Sequence, residues 1–310
     1  MEHKDRNIFQ IKPFVILFAL TAVLAWAFAF PMIKLGLSEF DIGDNDTGAK
    51  TLFAGVRFFM AGIFTLIVSL FRKGDKKTTD KSKKGIFLLL VFSVVNTTLH
   101  YFFFYMGLSN LPGSRSAIID SLGTFLLIIF ACIIFKNEHM TFRKVLGCIL
   151  GFAGILAVNL NKDGLDFGSL SIAGDGMLFM SALCSAFGGI LTRLVTQRYD
   201  ALFATGVSLA AGGFFLIIAG IMSGGELKAV TAEGISILIF LVLISAVGFS
   251  LYNRLISCNP VGKIAIFNSF IPVFGAVLSC LLLGETFYIK YIPAAILVFA
   301  GVYTINSQED

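Results

Sequence analysis

Apolar and polar positions alternate along this chain in long blocks. Apolar stretches at about 14–37, 51–71, 86–108, 116–135, 142–160, 172–193, 201–222, 235–257, 262–284 and 286–306 are separated by short polar ones. Each approaches the roughly 20 residues a helix needs to cross a hydrocarbon layer about 30 Å thick. They are far too long for barrel strands, and only helices or closed barrels satisfy their backbones in lipid. The pattern therefore predicts an all-α integral membrane protein of ten transmembrane helices. The first stretch lacks the short apolar core and small-residue cleavage site of a secretory signal, so it is read as a retained anchor.

Within the blocks, the third has the clearest two-sided pattern. At 100° per residue Ser93, Asn96, Thr97, His100, Tyr101 and Phe104 share an arc of about 140°. Val91, Phe92, Val95, Leu99, Phe102, Phe103 and Met106 take the opposite side, where Leu99→Ala is expected to cost stability. A polar stripe in a spanning helix faces protein or water, so it either lines a cavity or glues helices together. The first helix puts Trp26, Phe30 and Lys34 on one face at i, i+4 spacing. Pro31 there and Pro272 in the ninth helix each lack an N–H, which frees the carbonyls of Ala27 and Asn268 and makes both prolines hinge candidates. Asn268 and Ser269 lie beside the second of them. The expected substrate-facing set is Trp26, Phe30, Asn96, His100, Tyr101, Tyr105, Asn268 and Ser269.

Composition agrees with the pattern: 57% of the 310 residues are hydrophobic, 34 are Phe and 14% are charged. Soluble domains carry about 25% charged residues. Charge then orients the chain. Most Lys and Arg, including Lys4, Arg6, the cluster Arg72, Lys73, Lys76 and Lys77, and Lys136, Arg143, Lys144, Arg193, Arg198, Arg254 and Lys263, fall on one side. That is the cytoplasmic side by the positive-inside bias, which places both termini in the cytoplasm of a multi-pass cell-membrane protein. Lys50, Arg115, Lys162, Lys228 and Lys290 fall outside. The net charge of +5 needs no nucleic-acid partner, because basic loops suit an anionic leaflet. Cys132, Cys148, Cys184, Cys258 and Cys280 lie in predicted spans at spacings unlike ligand sets, so free thiols and no metal are expected.

Asp120 and Asp175 are the acidic residues inside predicted spans. Ionising a carboxyl near the bilayer centre costs on the order of 2.5 to 3.5 kcal/mol, so Asp120 is a proton-coupling candidate unless Arg115 or Arg57 pairs with it. Arg57 is an alternative holder of a substrate carboxylate. Glu138 and Glu285 precede the fifth and tenth helices and are read as structural carboxylates at helix starts.

The chain also repeats itself. "ILGFAGILAVN", 149–159, returns 147 positions later as "ILVFAGVYTIN", and the same offset aligns 102–159 with 249–306, pairing Phe102 with Phe249, Tyr105 with Tyr252 and Glu138 with Glu285. At offset 159, "LAWAFAFPMIKL", 24–35, pairs with "LCSAFGGILTRL", 183–194. Two five-helix units follow, 1–160 and 161–310, and an odd helix number inverts the second in the membrane. Inverted repeats recur in secondary transporters, with the substrate site between the halves. Gly147, Gly151 and Gly154, answered by Ala294, Ala295 and Gly301, are expected packing surfaces that could also support a homodimer.

Arg57 in "GVRFFMAG", the small and aromatic first helix, and "IPVFGAVLSCLLLGE" at 271–285 followed by a Gly-containing helix resemble the EamA family of the drug/metabolite transporter superfamily. That resemblance implies two inverted EamA units and transport of small metabolites such as amino acids, often outward. "TFLLIIFACIIFKNE", 124–138, departs from the second copy in having Phe125 for Pro272 and Asn137 for Gly284. The resulting expectation is a secondary transporter of a small neutral or zwitterionic metabolite, an amino acid first. It uses no cofactor and works as monomer or homodimer. Rival readings are efflux of drugs or quaternary amines, a channel-like facilitator and an intramembrane enzyme. No GxxxxGK[ST], HExxH or GxSxG supports ATP use or hydrolysis.

Overall fold

A computed structural model describes residues 8–71, 80–136, 138–158, 160–161, 164–165 and 170–306. The basic residues Lys4, Arg6, Arg72, Lys73, Lys76, Lys77 and Lys162, used to orient the chain, lie outside the described residues. Ten helices are described: α1 Lys12–Glu39, α2 Thr47–Phe71, α3 Lys83–Ser109, α4 in two parts, Gly113–Asp120 and Leu122–Ile134, and α5 Phe142–Val158. The second five are α6 Ile172–Val195, α7 Ala201–Met222, α8 Ala232–Cys258, α9 Val261–Leu283 and α10 Tyr291–Asn306. Eight are long and apolar enough to cross a membrane. α5 and α10, with 17 and 16 residues, are shorter and pack on each other. A two-residue antiparallel bridge, Leu160 opposite Leu165 and Asn161 opposite Gly164, follows α5.

Capping residues mark several helix starts. Ser82, Ser171, Asp200 and Thr231 each accept an amide hydrogen bond from the first turn of α3, α6, α7 and α8. The largest departure from the expected boundaries is α10, which starts at Tyr291 instead of 286. Gly284 ends α9 with φ +64°, a left-handed cap that glycine adopts without steric cost. The chain then turns until Pro293, tolerated in a first helical turn, opens α10. Glu138 and Glu285 accordingly do not start helices: neither α5 nor α10 has an acidic residue in its first turn.

The packing obeys a pseudo-twofold. α1 packs on α8 and α9, and its repeat-mate α6 packs on α3 and α4; α2 touches α8, and its mate α7 touches α3. Two self-matched pairs lie on the symmetry, α2 with α7 and α5 with α10. In the second pair a Cβ on Gly301 would strike the Gly147 carbonyl and lie 3.0 Å from the Gly151 amide, so these small residues do serve helix packing, and do so within one chain.

The α2–α7 seam was not anticipated. Gly48, Gly55 and Gly62 recur every seven residues, as do Gly206, Gly213 and Gly220. A Cβ on Gly55 would sit 2.6 Å from the Ile217 nitrogen and one on Gly220 2.6 Å from that of Leu52. Those on Gly62 and Gly213 would collide with the Ala210 and Phe59 backbones. Seven-residue spacing keeps one stripe facing a partner in a left-handed pair, and glycine brings the two backbones into contact.

Candidate functional site

α1, α3, α4, α6, α8 and α9 surround a cavity of about 90 Å³ between the two repeats, with Arg57 of α2 at its wall. Three of these helices leave α geometry beside it. α3 forms a π-helical turn over Val94–Leu99, α4 breaks at Ser121, and α9 has a 3₁₀ turn at Ile266–Ser269. Irregular backbone at membrane depth is tolerated where it is buried or lines a cavity, and π-turns are frequent at functional sites. At offset 147 Ser121 and Asn268 are repeat-mates, so the breaks in α4 and α9 are one device used twice.

In α3 the π-turn sets the side chains. His100's own amide bonds the Val95 and Thr97 carbonyls, passing over Asn96, whose carbonyl lies 3.3 Å from His100 Nδ1. The polar stripe divides its work. Asn96, His100, Tyr101 and Phe104 line the cavity, whereas Thr97 Oγ1 lies 3.1 Å from Ser208 Oγ and Thr98 donates to the Gly212 carbonyl at 3.1 Å, both gluing α3 to α7. Leu99, on the far side of α3, is 40% exposed. Its replacement by Ala therefore removes less packing than a fully buried leucine would lose.

The aromatic wall is continuous. Trp26 packs on Phe249 and, edge-on, on Tyr252 with centroids 5.2 and 4.8 Å away. His100 stacks on Tyr101 at 4.4 Å, and Phe30 meets Phe104 at 5.4 Å. Such pairs are stable tilted or edge to face.

Charge enters through two residues. Arg57 is 1% exposed; its Nε donates to Ser245 Oγ at 2.9 Å and the Leu241 carbonyl at 3.3 Å, and Nη1 donates to the Tyr105 hydroxyl at 3.0 Å. The guanidinium lies 4.8 Å from the Phe58 centroid, and no carboxylate among the described residues is within ion-pair distance of it. Asp120 is also without an ion pair among the described residues, because Arg115 is taken by Asp175 at 2.7 Å. Asp120 Oδ1 and Trp26 Nε1 are buried with no hydrogen-bond partner there. Buried polar atoms left unpaired in a native fold call for an explanation, and a bound solute or water supplies one.

Of the expected set, Trp26, Phe30, Asn96, His100, Tyr101 and Asn268 line the cavity, and so does Asp120. Tyr105 and Ser269 do not: Tyr105 stands behind Arg57, and Ser269 is buried at the end of the 3₁₀ turn. α1 runs unbroken through Pro31, while Pro272 follows the irregular turn directly. Arg57, named as an alternative carboxylate holder, also lines the space, as do Ser121, Thr124, Ser185, Phe249, Tyr252 and Asn253, which the expected set did not include. All five cysteines are free thiols.

Two five-helix repeats facing each other across a polar and aromatic chamber make this a multi-pass membrane transporter. The sequence model of the EamA-like transporter family matches the chain twice, over residues 13–160 and 172–307. The chain belongs to that family, within the drug/metabolite transporter superfamily. It is 27% identical over 289 residues to the uncharacterized transporter YvbV of Bacillus subtilis, covering 92% of this chain and 89% of that one. It is 24% identical to a chloroplastic WAT1-related protein of Arabidopsis thaliana, over 83% of this chain and 62% of the relative. A crystal structure superposes with a TM-score of 0.71 over 94% of this chain and 95% of the other at 15% identity, a likeness of fold.

Proposed function

We infer that the protein carries a small zwitterionic metabolite, an amino acid first, outward across the cell membrane by alternating access, with both termini in the cytoplasm. The observation that carries this reading is the lining of one chamber by a guanidinium and a carboxylate, each without an ion-pair partner among the described residues, and by a wall of aromatic rings. Arg57 offers two-point recognition of an α-carboxylate. Asp120 faces either the substrate's ammonium group or a coupling proton. Trp26, Phe30, Phe104 and Phe249 suit an apolar side chain, and their faces attract a cation. The irregular turns in α4 and α9, with Pro31 and Pro272, supply places where the wall can bend.

Counterflow into proteoliposomes with an amino-acid panel tests the reading. Saturable exchange with at least one amino acid is expected, and unsaturable conductance would remove the carrier mechanism. A second reading, efflux of quaternary amines, is favoured by the aromatic box around Trp26 beside a lone carboxylate. Competition by tetraethylammonium but by no amino acid would select it.

A further inference from the structure

The two ends of the chamber are built from repeat-mates in different arrangements. At one end Glu285, just past α9, lies 3.6 Å from Lys34 Nζ on α1 and accepts the Gly113 amide at the start of α4 at 2.8 Å. One carboxylate of the second repeat thereby holds two helices of the first.

The repeat offsets define the corresponding group at the other end. Lys34 maps to Arg193 on α6, Glu285 to Glu138 past α4, and the start of α4 to the start of α9. There the parts are assembled differently. Arg193 Nη1 donates to the Ile256 and Asn259 carbonyls at 2.7 and 3.0 Å, at the end of α8. Among the described residues Glu138 pairs with Lys144 of its own repeat, at 3.9 Å. Yet Glu138 Oε2 stands near the start of α9, 3.8 Å from where a Cβ on Gly262 would lie. The chamber also reaches toward this end, since Thr192, the residue before Arg193, and Asn253 line it. Other ties there, Arg198 to Asp80 at 2.8 Å and Asn259 to the Phe9 carbonyl at 2.8 Å, hold loops and the N-terminal turn. Neither is a polar tie from the end of α4 to α6 or α9, although Ile128 and Ala131 of α4 pack with Ile190 of α6 and Val261 and Ile264 of α9 in one buried apolar cluster.

We propose that Lys34–Glu285–Gly113 and Arg193–Glu138–α9 are two alternative latches, one closed in this structure and the other closing when the chamber opens at the opposite end. Glu285 and Glu138 are positioning residues for the transport cycle, acting on helix placement without touching the solute. Each latch stabilises one of two states, so removing one shifts the population toward the other. The idea rests on the carrier reading, but its test needs no substrate and stands whatever the solute proves to be.

Nitroxides on cysteines introduced at Gly43 and Ile289 span the Glu285 end, and at Met140 and Gln197 the Glu138 end, in full-length protein whose five native cysteines are replaced. All four positions are exposed. Pulsed dipolar distances in lipid nanodiscs are then measured. Glu285→Gln should lengthen 43–289 and shorten 140–197, moving the population ratio roughly fivefold, as expected for losing one charged hydrogen-bonded pair. Glu138→Gln should shift it the opposite way, and the double variant should return toward wild type. Should Glu285→Gln not fold, Lys34→Gln must give its shift instead. Shifts of the same sign in both Glu variants, or unchanged distances in folded protein, would overturn the proposal.

Discussion

The two halves share a frame and differ in what they present to the chamber. Trp26 and Phe30 in the first half have Ser185 and Gly189 as mates, and all four line the cavity. Asn96 and His100, on a π-turn, answer to Leu243 and Val247 on an unbroken α8. Asp120 answers to Phe267. Only the break itself, Ser121 and Asn268, is polar in both halves. Duplication thus preserved the elements that place a chamber on the symmetry axis, while charge, Arg57 and Asp120, accumulated on one side. A zwitterion has two unlike ends and an apolar flank, and a symmetric lining would not tell them apart.

If the frame is common to both halves, striking it should erase everything. Gly213→Leu places a branched side chain inside the Phe59 backbone, and no rotamer escapes. We expect a loss above about 4 kcal/mol and no folded protein by size-exclusion chromatography in detergent. A variant that is folded and transports would refute the seam.

Arg57→Met probes the charged half of the lining. Transport should fall about a hundredfold, consistent with loss of a charge-assisted contact worth about 3 kcal/mol. The melting temperature should stay near wild type, because the change removes a buried charge together with its hydrogen bonds. Equal loss of transport and stability would make Arg57 a strut between α2 and α8.

Mate against mate, Trp26→Ala should lower transport about tenfold and Ser185→Ala about twofold or less, since a large aromatic carries more contact than a hydroxyl. His100→Ala and Tyr101→Ala belong with Trp26, whereas Leu99→Ala should change stability by less than about 0.5 kcal/mol. Similar effects for Trp26 and Ser185 would break the asymmetry. Asp120→Asn keeps the size and removes the proton. It should abolish accumulation driven by a pH gradient and spare exchange at zero gradient; accumulation at the wild-type level would end the coupling role.

The smallest effect lies outside the membrane. Hydrogen bonds from Ser82, with the Arg198 guanidinium beside them, hold the Asp80 carboxyl down at about 2 from a usual 3.8. A depressed carboxylate stabilises the fold above its usual value and loses that contribution as pH falls through about 2. Asp80→Asn should flatten this part of the melting-temperature profile slightly, because its ion pair with Arg198 sits at the surface, where solvent screens it.

Sequence revealed the helices well because the bilayer fixes their length and penalises every polar interruption. It revealed Trp26, Asn96, His100 and Tyr101 for the same reason: each stands out in an apolar block. Phe249 and Tyr252 gave no such contrast, since aromatic residues in an apolar helix look alike whether they face lipid or a chamber. Ser121 gave no warning of a break, having neither Pro nor Gly beside the irregular turn except Gly123. The seven-residue glycine spacing in α2 and α7 is plain in the sequence, but it marks a close seam only once the fold brings the two stripes together. Glu285 needed the tertiary fold, because its partners Lys34 and Gly113 are distant in the chain.

The glycine seam also has a thermodynamic side. Side chains frozen in an ordinary helix interface surrender up to about 2 kcal/mol each in rotamer freedom, and glycine has none to surrender. The line joining α2 to α7 therefore forms at little entropic cost beyond that of its two backbones. At the glycine positions there are no side chains to repack, although Leu66, Ile217 and the Phe59–Phe214 ring pair flank them. If the latches at either end of the chamber exchange, this backbone-to-backbone line is the contact about which the helices would have to turn.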